Sequence, residues 1–578
     1  MNAHFRPLVF SVLLLFSFFL LSCSDSGVGK DNDPEPDSDQ TLVFDPGSGD
    51  NDYEWPDDNQ PDDNDDDDDW PEIIDVIGEY LSIEGESALP NPVTGHETPP
   101  EFNRIQFFRF REKTNGPARP VSKVLILISG FTVGANSLIY TAKSLVELAD
   151  GDLEVWVPDH RHHLLEDQWG MDVAEHLRNP NIAINYYFRN RPILGKSFGG
   201  FLKGDGPATA MMSEWGLNIE MQDIRRLIHL IPEENRAANV FLGGHSRGVA
   251  FAQAFAANEF SDGILGSEEI AGLVFIDGVT RYQPWKTQSG IEKDLNYLRD
   301  GSSSRFVSLP LLGPSLYVFA EILGMAASRD FAIPGNTELG PDGIFPNKGP
   351  FALLTPIAFR GRNITMTNEA LTGFLADNES GLVGIVRAGL GRLDGPTSRD
   401  FLGVYPTDEN RIYTWVGYDE TDPAEPTDIQ DLIPTIYKGP SNVVDRYYST
   451  RLNLDLLIAD QGETAGTWRE EYFKMYTSQI DAPVIAIVTR IIAGTDRSEQ
   501  YRDMLAPVRG QNQPRNEFGY EIIRRPDWEH VDPIYAKAEN NEFFHRLIEW
   551  MDEFSSGEIC TPQMRSLDYA GNAAFSSE

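Results

Sequence analysis

Short apolar runs alternate with segments of helical periodicity over much of the chain. Runs of this length that are apolar on both faces are typical of parallel strands covered by helices on either side. Apolar residues recur at helical spacing over residues 138–148, and an alanine-rich helical pattern begins at Val249. The pattern predicts an α/β fold with a mostly parallel central sheet flanked by helices. The predicted buried strands are Val124–Ser129, Glu154–Val157, Val240–Leu242, Ala271–Ile276 and Pro483–Val488, and the alternating stretch Arg104–Arg111 is predicted as an outer strand.

The stretch Gly244-His-Ser-Arg-Gly248 joins one predicted strand to the helix that follows it. A serine on such a sharp turn must adopt a strained backbone, and the flanking glycines remove the side chains that would collide there. The stretch therefore fits the nucleophile elbow G-x-S-x-G, with Ser246 as the nucleophile. A second match lies around Ser197, but proline and several glycines flank it, so we predict a loop residue without this role.

The chain resembles the α/β-hydrolases in three places where a predicted strand ends. The first strand runs into Gly130-Phe131, like the oxyanion loop of that family, and the second into Pro158-Asp-His-Arg161. The third carries the Ser246 motif. The resemblance covers roughly residues 104–280 and 479–554, and it implies an α/β-hydrolase fold. It also implies an oxyanion hole formed by the backbone amides of Phe131 and Arg247.

A serine hydroxyl becomes a useful nucleophile only when a neighbouring imidazole accepts its proton. The resemblance assigns that role to His530, which follows a predicted strand near the carboxyl terminus. Three aspartates are candidates for the acid that orients it. Asp496 follows the penultimate predicted strand and is favoured; Asp277, which follows the strand before the long insertion, is the alternative, and Asp481 is a remote third.

These features predict a serine hydrolase that cleaves carboxylic esters through an acyl-enzyme. In this family an insertion at residues 281–480 would form a cap, and its apolar stretches favour hydrophobic, lipid-like esters. Thioesterases, peptidases and polyester depolymerases share the same machinery. The alternative is a non-catalytic surface lipoprotein that binds or carries lipid. No cofactor is expected, and the run His160, His162, His163 does not predict a metal site, because adjacent histidines rarely converge on one ion.

The amino terminus resembles that of an exported bacterial lipoprotein. Residues 1–22 contain an apolar run too short to span a membrane, and Leu20-Leu-Ser-Cys23 resembles a lipobox. The resemblance implies lipidation of Cys23 and attachment to a membrane of the cell envelope. Ser24 resembles the residue that directs lipoproteins to the outer membrane in enterobacteria.

The segment that follows Cys23 is strongly acidic, and its composition predicts where the folded part of the chain begins. Its dense aspartates predict a disordered tether over residues 23–100 and contribute to a net charge of −43, which argues against a nucleic-acid partner. The predicted organisation is thus a signal peptide (1–22), the lipidated cysteine and tether (23–100), a first part of the hydrolase core (101–280), the cap (281–480) and a second part of the core (481–578).

Overall fold

The computed structural model describes residues 74–115, 118–278, 287–307, 313–333, 335–344, 358–380, 387–419, 421–459, 464, 466–490, 520–559 and 561. All of them belong to one compact unit that begins at Ile74. The predicted signal peptide, Cys23 and the aspartate-rich tract lie outside these residues. None of the described helices combines the length and apolar character needed to cross a membrane.

The strands are, in chain order, β1 (Val76–Glu84), β2 (Arg104–Glu112), β3 (Lys123–Ile128), β4 (Leu153–Pro158), β5 (Val240–His245), β6 (Gly272–Ile276), β7 (Thr365–Met366), β8 (Arg392–Asp394), β9 (Thr397–Asp400), β10 (Gly403–Pro406), β11 (Ile412–Val416), β12 (Val484–Thr489) and β13 (Tyr520–Arg525). The α-helices are α1 (Ile139–Leu148), α2 (Trp169–His176), α3 (Pro180–Arg189), α4 (Leu217–Ile228), α5 (Glu233–Asn239), α6 (Gly248–Ala257), α7 (Gln288–Asp300), α8 (Gly313–Ala327), α9 (Asn368–Ala376), α10 (Ile429–Tyr437), α11 (Thr450–Ala459), α12 (Asp532–Tyr535) and α13 (Glu542–Phe554).

Eight strands form one sheet in the order β1-β2-β4-β3-β5-β6-β12-β13. Strand β2 runs antiparallel to both β1 and β4, and the other neighbours are parallel. Every residue of β3, β4, β5, β6 and β12 is buried, as expected for strands that helices cover on both faces. Helices α1 and α13 pack on one face, and α4 and α6 on the other. The predicted α/β class and its mostly parallel sheet are confirmed.

The predicted strands correspond to β2, β3, β4, β5, β6 and β12, within a few residues at each end. The predicted start of the core at residue 101 is too late, because β1 lies inside the segment assigned to the tether. This strand pairs with β2 along its whole length, and Tyr80 and Leu81 are buried. The aspartate-rich composition ends at Asp69, and the apolar residues after it are enough to complete the edge of the sheet.

The described part of the insertion 281–480 contains helices α7 to α11 and two small sheets. The sheets have the orders β7-β11-β8 and β10-β9. Helix α8 packs against α9 and α10, and buried side chains of all three helices help to form the insertion's interior. Beyond α10, residues 440–448 lie against the loop that follows β3, with Asn136 Nδ2 donating to Ser441 O at 3.1 Å. This contact brings the insertion next to the carboxyl ends of the central strands.

Candidate active site

Ser246 lies on the turn between β5 and α6, as the motif predicts. Its φ of 57° is in the left-handed region, which is strained for a residue with a side chain. Its N–H donates to Ile276 O on β6 at 2.9 Å, so the turn is held against the sheet. A Cβ at Gly248 would lie 2.1 Å from Ile128 O, and one at Gly244 would lie 2.4 Å from the carbonyl carbon of Gly248. Only glycine allows the helix to approach the strands this closely.

The second serine motif has no such setting. Ser197 is exposed in an irregular loop that follows an isolated bridge between Ile193 and Lys196. It lies on no strand-to-helix turn, in agreement with its prediction as a loop residue.

His530 occupies the loop between β13 and α12 and contacts two of the predicted residues. Its Nε2 lies 2.9 Å from Ser246 Oγ, and its Nδ1 lies 2.6 Å from Asp277 Oδ2. Because a carboxylate oxygen accepts hydrogen bonds, Nδ1 is the nitrogen that carries the proton. Nε2 is then left with a lone pair that faces the serine hydroxyl.

Asp277 follows β6 directly and is completely buried. The main-chain N–H and the hydroxyl of Thr489, at the end of β12, donate to its two carboxylate oxygens at 2.6 and 2.7 Å. These bonds fix the plane of the carboxylate toward His530. The acid that contacts His530 Nδ1 is therefore Asp277, which the sequence analysis gave as the alternative to Asp496. The favoured candidate, Asp496, lies outside the described residues, and Asp481 precedes β12, at the opposite end of that strand from Thr489.

Two further side chains, which the sequence analysis did not identify, hold the loop of His530. His245 Nε2 donates to His530 O at 2.9 Å, and burial lowers the pKa of His245 to about 3, so the ring stays neutral. Asp532 accepts from the N–H of Glu529 at 2.7 Å and from that of Gly389 at 2.9 Å. Burial raises the pKa of Asp532 to about 7. His245 lies within the serine motif and Asp532 next to His530, but sequence proximity alone does not reveal hydrogen bonds to the backbone.

The loop after β3 lies beside the serine. A Cβ at Gly130 would be 3.1 Å from Ser246 Cβ, so the backbone that leads into Phe131 passes close to the hydroxyl. Among the described residues, none accepts a hydrogen bond from the N–H of Phe131. Arg247, the second residue predicted for the oxyanion hole, directly precedes α6. Both predicted amides thus belong to backbone segments that adjoin Ser246.

Residues 440–448 support this loop from the side of the insertion. Asp445 N–H donates to Thr132 O at 3.1 Å, and Gly134 N–H donates to Val443 O at 3.3 Å. The ring of Phe131 packs edge-on against Tyr448 with their centroids 5.1 Å apart. The position of the loop therefore depends on the insertion as well as on β3.

The strand order, with a serine on the turn from a central parallel strand into a helix, defines the α/β-hydrolase fold that the sequence resembles. No protein-family model matches the chain, and no curated protein matches it in sequence.

Solved structures of similar fold were found at low sequence identity. One is a candidate lipase from Sulfolobus solfataricus, with 12% identity, a TM-score of 0.41 and coverage of 83% of this chain and 94% of that one. A second is a peroxisomal α/β-hydrolase from Saccharomyces cerevisiae, with 11% identity, a TM-score of 0.34 and coverage of 87% and 95%. A third is a thermostable carboxyl esterase from Bacillus coagulans, with 11% identity, a TM-score of 0.33 and coverage of 82% and 99%. These are similarities of fold, and the chemistry proposed below rests on the geometry of this chain.

Proposed function

We propose that this protein is a serine hydrolase that cleaves carboxylic esters through an acyl-enzyme. The observation that carries the proposal is the continuous chain of contacts from Ser246 Oγ through His530 to Asp277, at 2.9 and 2.6 Å. Hydroxyl, imidazole and carboxylate in this order are the arrangement that activates a serine for attack on a carbonyl.

In the proposed reaction, His530 Nε2 removes the proton from Ser246 as Oγ attacks the ester carbonyl. The negative charge that develops on the carbonyl oxygen is stabilised by the N–H groups of Phe131 and Arg247. Asp277 holds the ring with its proton on Nδ1 and stabilises the imidazolium. His530 then protonates the departing alcohol, and a water molecule activated by the same histidine releases the acid from Ser246.

The proposed substrates are hydrophobic, lipid-like esters, because the insertion at residues 281–480 contains apolar stretches and its residues 440–448 lie against the loop beside Ser246. A binding site under such a cap gains affinity from the apolar area of the acyl chain, at roughly 25 cal/mol per Å² buried. Activity on a series of nitrophenyl esters is therefore expected to increase from two-carbon to medium-length acyl chains.

The test uses the two serines that share one sequence motif. Ser246→Ala should reduce hydrolysis of these esters by at least about a thousandfold. Ser197→Ala changes the exposed loop serine and should leave the rate unchanged. Equal activity of wild type and Ser246→Ala would refute the proposal, and a folded wild-type protein without esterase activity would instead favour a lipid-binding role.

We also propose that Cys23 anchors the protein to a membrane of the bacterial cell envelope, the outer membrane. The sequence Leu20-Leu-Ser-Cys23 supports this proposal. Cys23→Ser should shift the protein from the membrane fraction to the soluble fraction of the producing cells. Cys560→Ser, which changes the other cysteine in the sequence, is the matched control. Retention of the Cys23→Ser protein in the membrane fraction would contradict the anchor.

A further inference from the structure

A second group of titratable side chains lies behind the oxyanion loop and takes no part in the mechanism above. We call His163, Glu166 and Asp445 the His163 cluster. One ligand atom from each residue lies within 4.8 Å of the other two. His163 and Glu166 follow β4, whereas Asp445 belongs to residues 440–448 of the insertion. The side chains of His163, Glu166 and Asp445 are 5%, 0% and 0% exposed.

Two atoms of this cluster are buried without a hydrogen-bond partner among the described residues, Nδ1 of His163 and Oδ1 of Asp445. His163 Nε2 lies 3.1 Å from Pro440 O, and a carbonyl oxygen can only accept, so Nε2 carries a proton. The other nitrogen, Nδ1, faces the carboxylates. A histidine that binds a metal usually donates its other ring N–H to a carbonyl or carboxylate in the same way.

One cationic side chain, Arg446, serves two buried carboxylates, because its Nε lies 3.3 Å from Glu166 Oε2. Arg446 is paired with Glu321 at 3.0 Å, and both side chains are 2% exposed. His160 is paired with Glu220 at 2.8 Å, and although burial opposes it, Glu220 raises the pKa of His160 to about 9.

A neighbouring histidine, His162, contacts only one oxygen of Asp445. His162 Nε2 lies 2.7 Å from Asp445 Oδ2, and Oδ1 of the same carboxylate has no hydrogen-bond partner among the described residues. Two buried carboxylates, Glu166 and Asp445, thus lie beside a histidine whose Nδ1 is unpartnered among the described residues. A buried polar atom without a partner is costly.

We propose that the His163 cluster binds a divalent metal ion of the zinc class. The ligands are Nδ1 of His163, a carboxylate oxygen of Glu166 and Oδ1 of Asp445. The ion gives both unpartnered atoms a bond.

The donor set points to zinc rather than calcium. Calcium takes oxygen ligands, whereas zinc accepts imidazole nitrogen and carboxylate oxygen at about 2.0–2.2 Å. His163 Nδ1 and Glu166 Oε2 are 4.0 Å apart, so small side-chain rotations bring them to zinc-binding distance. Asn442 is the candidate for a fourth ligand, because its amide donates to Glu166 and its Oδ1 is buried without a partner.

The ion would join two parts of the chain that together hold the oxyanion loop. His163 and Glu166 belong to the core, and Asp445 donates its N–H to Thr132 O in that loop. Loss of the metal should therefore loosen residues 440–448 and lower kcat, although none of the three ligands takes part in the proposed reaction. The sequence analysis did not predict this site because Asp445 lies far along the chain from the histidines.

The first test is the metal content of the full-length protein, purified without chelator and measured by elemental mass spectrometry. Wild type should retain one zinc per chain, and His163→Gln and Asp445→Asn should each lose it. Gln at position 163 can still donate to Pro440 O, so this variant is the less disruptive of the two. His229→Gln changes a half-exposed histidine that pairs with Glu269, and it should keep its zinc. The acidic amino-terminal segment is common to all variants, so metal that it binds cancels in the comparison.

The second test is thermal unfolding of chelator-treated protein at pH 8, where protons compete less for Nδ1. Added Zn²⁺ should raise the Tm of wild type and His229→Gln by several degrees, Ca²⁺ should raise it less, and neither should affect His163→Gln. Equal zinc retention by wild type and both cluster variants, or stabilisation by Ca²⁺ alone, would overturn the proposal. Because neither readout involves Ser246, these outcomes are independent of the esterase assay.

Discussion

The carboxylate at His530 is the residue on which the proposed chemistry depends most. Asp277 is completely buried, and its oxygens are shared between His530 and Thr489, so its orientation is fixed before substrate binds. A carboxylate held in this way keeps the imidazole in the tautomer that can accept the serine proton.

Asp277→Asn is expected to lower kcat by about 10⁴-fold, because an amide at this position favours the wrong imidazole tautomer. Asp496→Asn, at the acid favoured from sequence, is the matched control and should change kcat little. Steady-state kinetics on one good ester measures both. A large loss in Asp496→Asn together with normal turnover by Asp277→Asn would reverse the assignment.

Thr489→Val should lower kcat/KM by roughly tenfold, equivalent to about 1.4 kcal/mol for one hydrogen bond to a charged group. The substitution removes the hydroxyl that donates to Asp277 Oδ2 but keeps the N–H that donates to Oδ1. Thr372→Val removes a comparable buried hydroxyl in α9 and serves as the control for stability. The role of Thr489 would be disproved if the two variants had equal activity.

At the scale of elements, the turn between β5 and α6 determines where the nucleophile stands. Helix α6 begins at Gly248, whose missing side chain lets the helix pass over the end of β3. The elbow is therefore a packing contact between three elements as well as a strained turn at Ser246.

Gly248→Ala should destabilise the protein by about 1–3 kcal/mol, the usual cost of overpacking, and should also reduce activity. The added Cβ would lie 2.1 Å from Ile128 O, which is backbone and cannot move without disturbing β3. Gly199→Ala is the control, because a Cβ there meets nothing within 4 Å. Chemical denaturation should show a lower midpoint for the first variant only, and equal midpoints would contradict the packing argument.

The strands of the central sheet could be predicted because burial on both faces leaves a continuous apolar run in the sequence. Strand β1 could not be predicted in this way because it closely follows the aspartate-rich tract. The tether assigned from the composition of that tract therefore extended past its end at Asp69 and included β1. The acid could not be chosen from sequence. Asp277 and His530 lie on loops that only the pairing of β6, β12 and β13 brings together. The contact of Thr489 with Asp277 and the contacts of residues 440–448 could not be predicted for the same reason, because they join residues that are far apart in the sequence.

For the whole molecule, the site is assembled from three distant stretches of the chain. The core supplies Ser246 and Asp277, the carboxyl-terminal part supplies His530, and the insertion supports the loop of Phe131. Loss of the folded state should therefore abolish all these contacts together, and the activity with them.

One half-buried acid, Asp172, makes this stability depend on pH. Burial, with a contribution from Glu175, raises the pKa of Asp172 to about 8, against about 3.9 in an unfolded chain. The contribution of Asp172 to the free energy of unfolding is complete at pH values below its pKa in the unfolded chain. It declines as the pH rises toward 8, because over this range the carboxyl loses its proton in the unfolded chain but keeps it in the folded protein. Asp172→Asn should raise Tm more at pH 8 than at pH 5.

Asp205→Asn, at an exposed position, is the control for that experiment and should shift Tm equally at both pH values. Differential scanning fluorimetry over this pH range provides the comparison. Parallel Tm curves for wild type and Asp172→Asn would contradict the argument.

The most direct test of the account is to label the full-length protein with a fluorophosphonate probe and to map the modified peptide by mass spectrometry. Such a probe reacts with a serine only when a neighbouring base activates it. We predict one adduct on Ser246, with labelling lost in His530→Ala, strongly slowed in Asp277→Asn and unchanged in Asp496→Asn. An adduct on a different serine, or equal labelling of wild type and His530→Ala, would contradict the proposed active site.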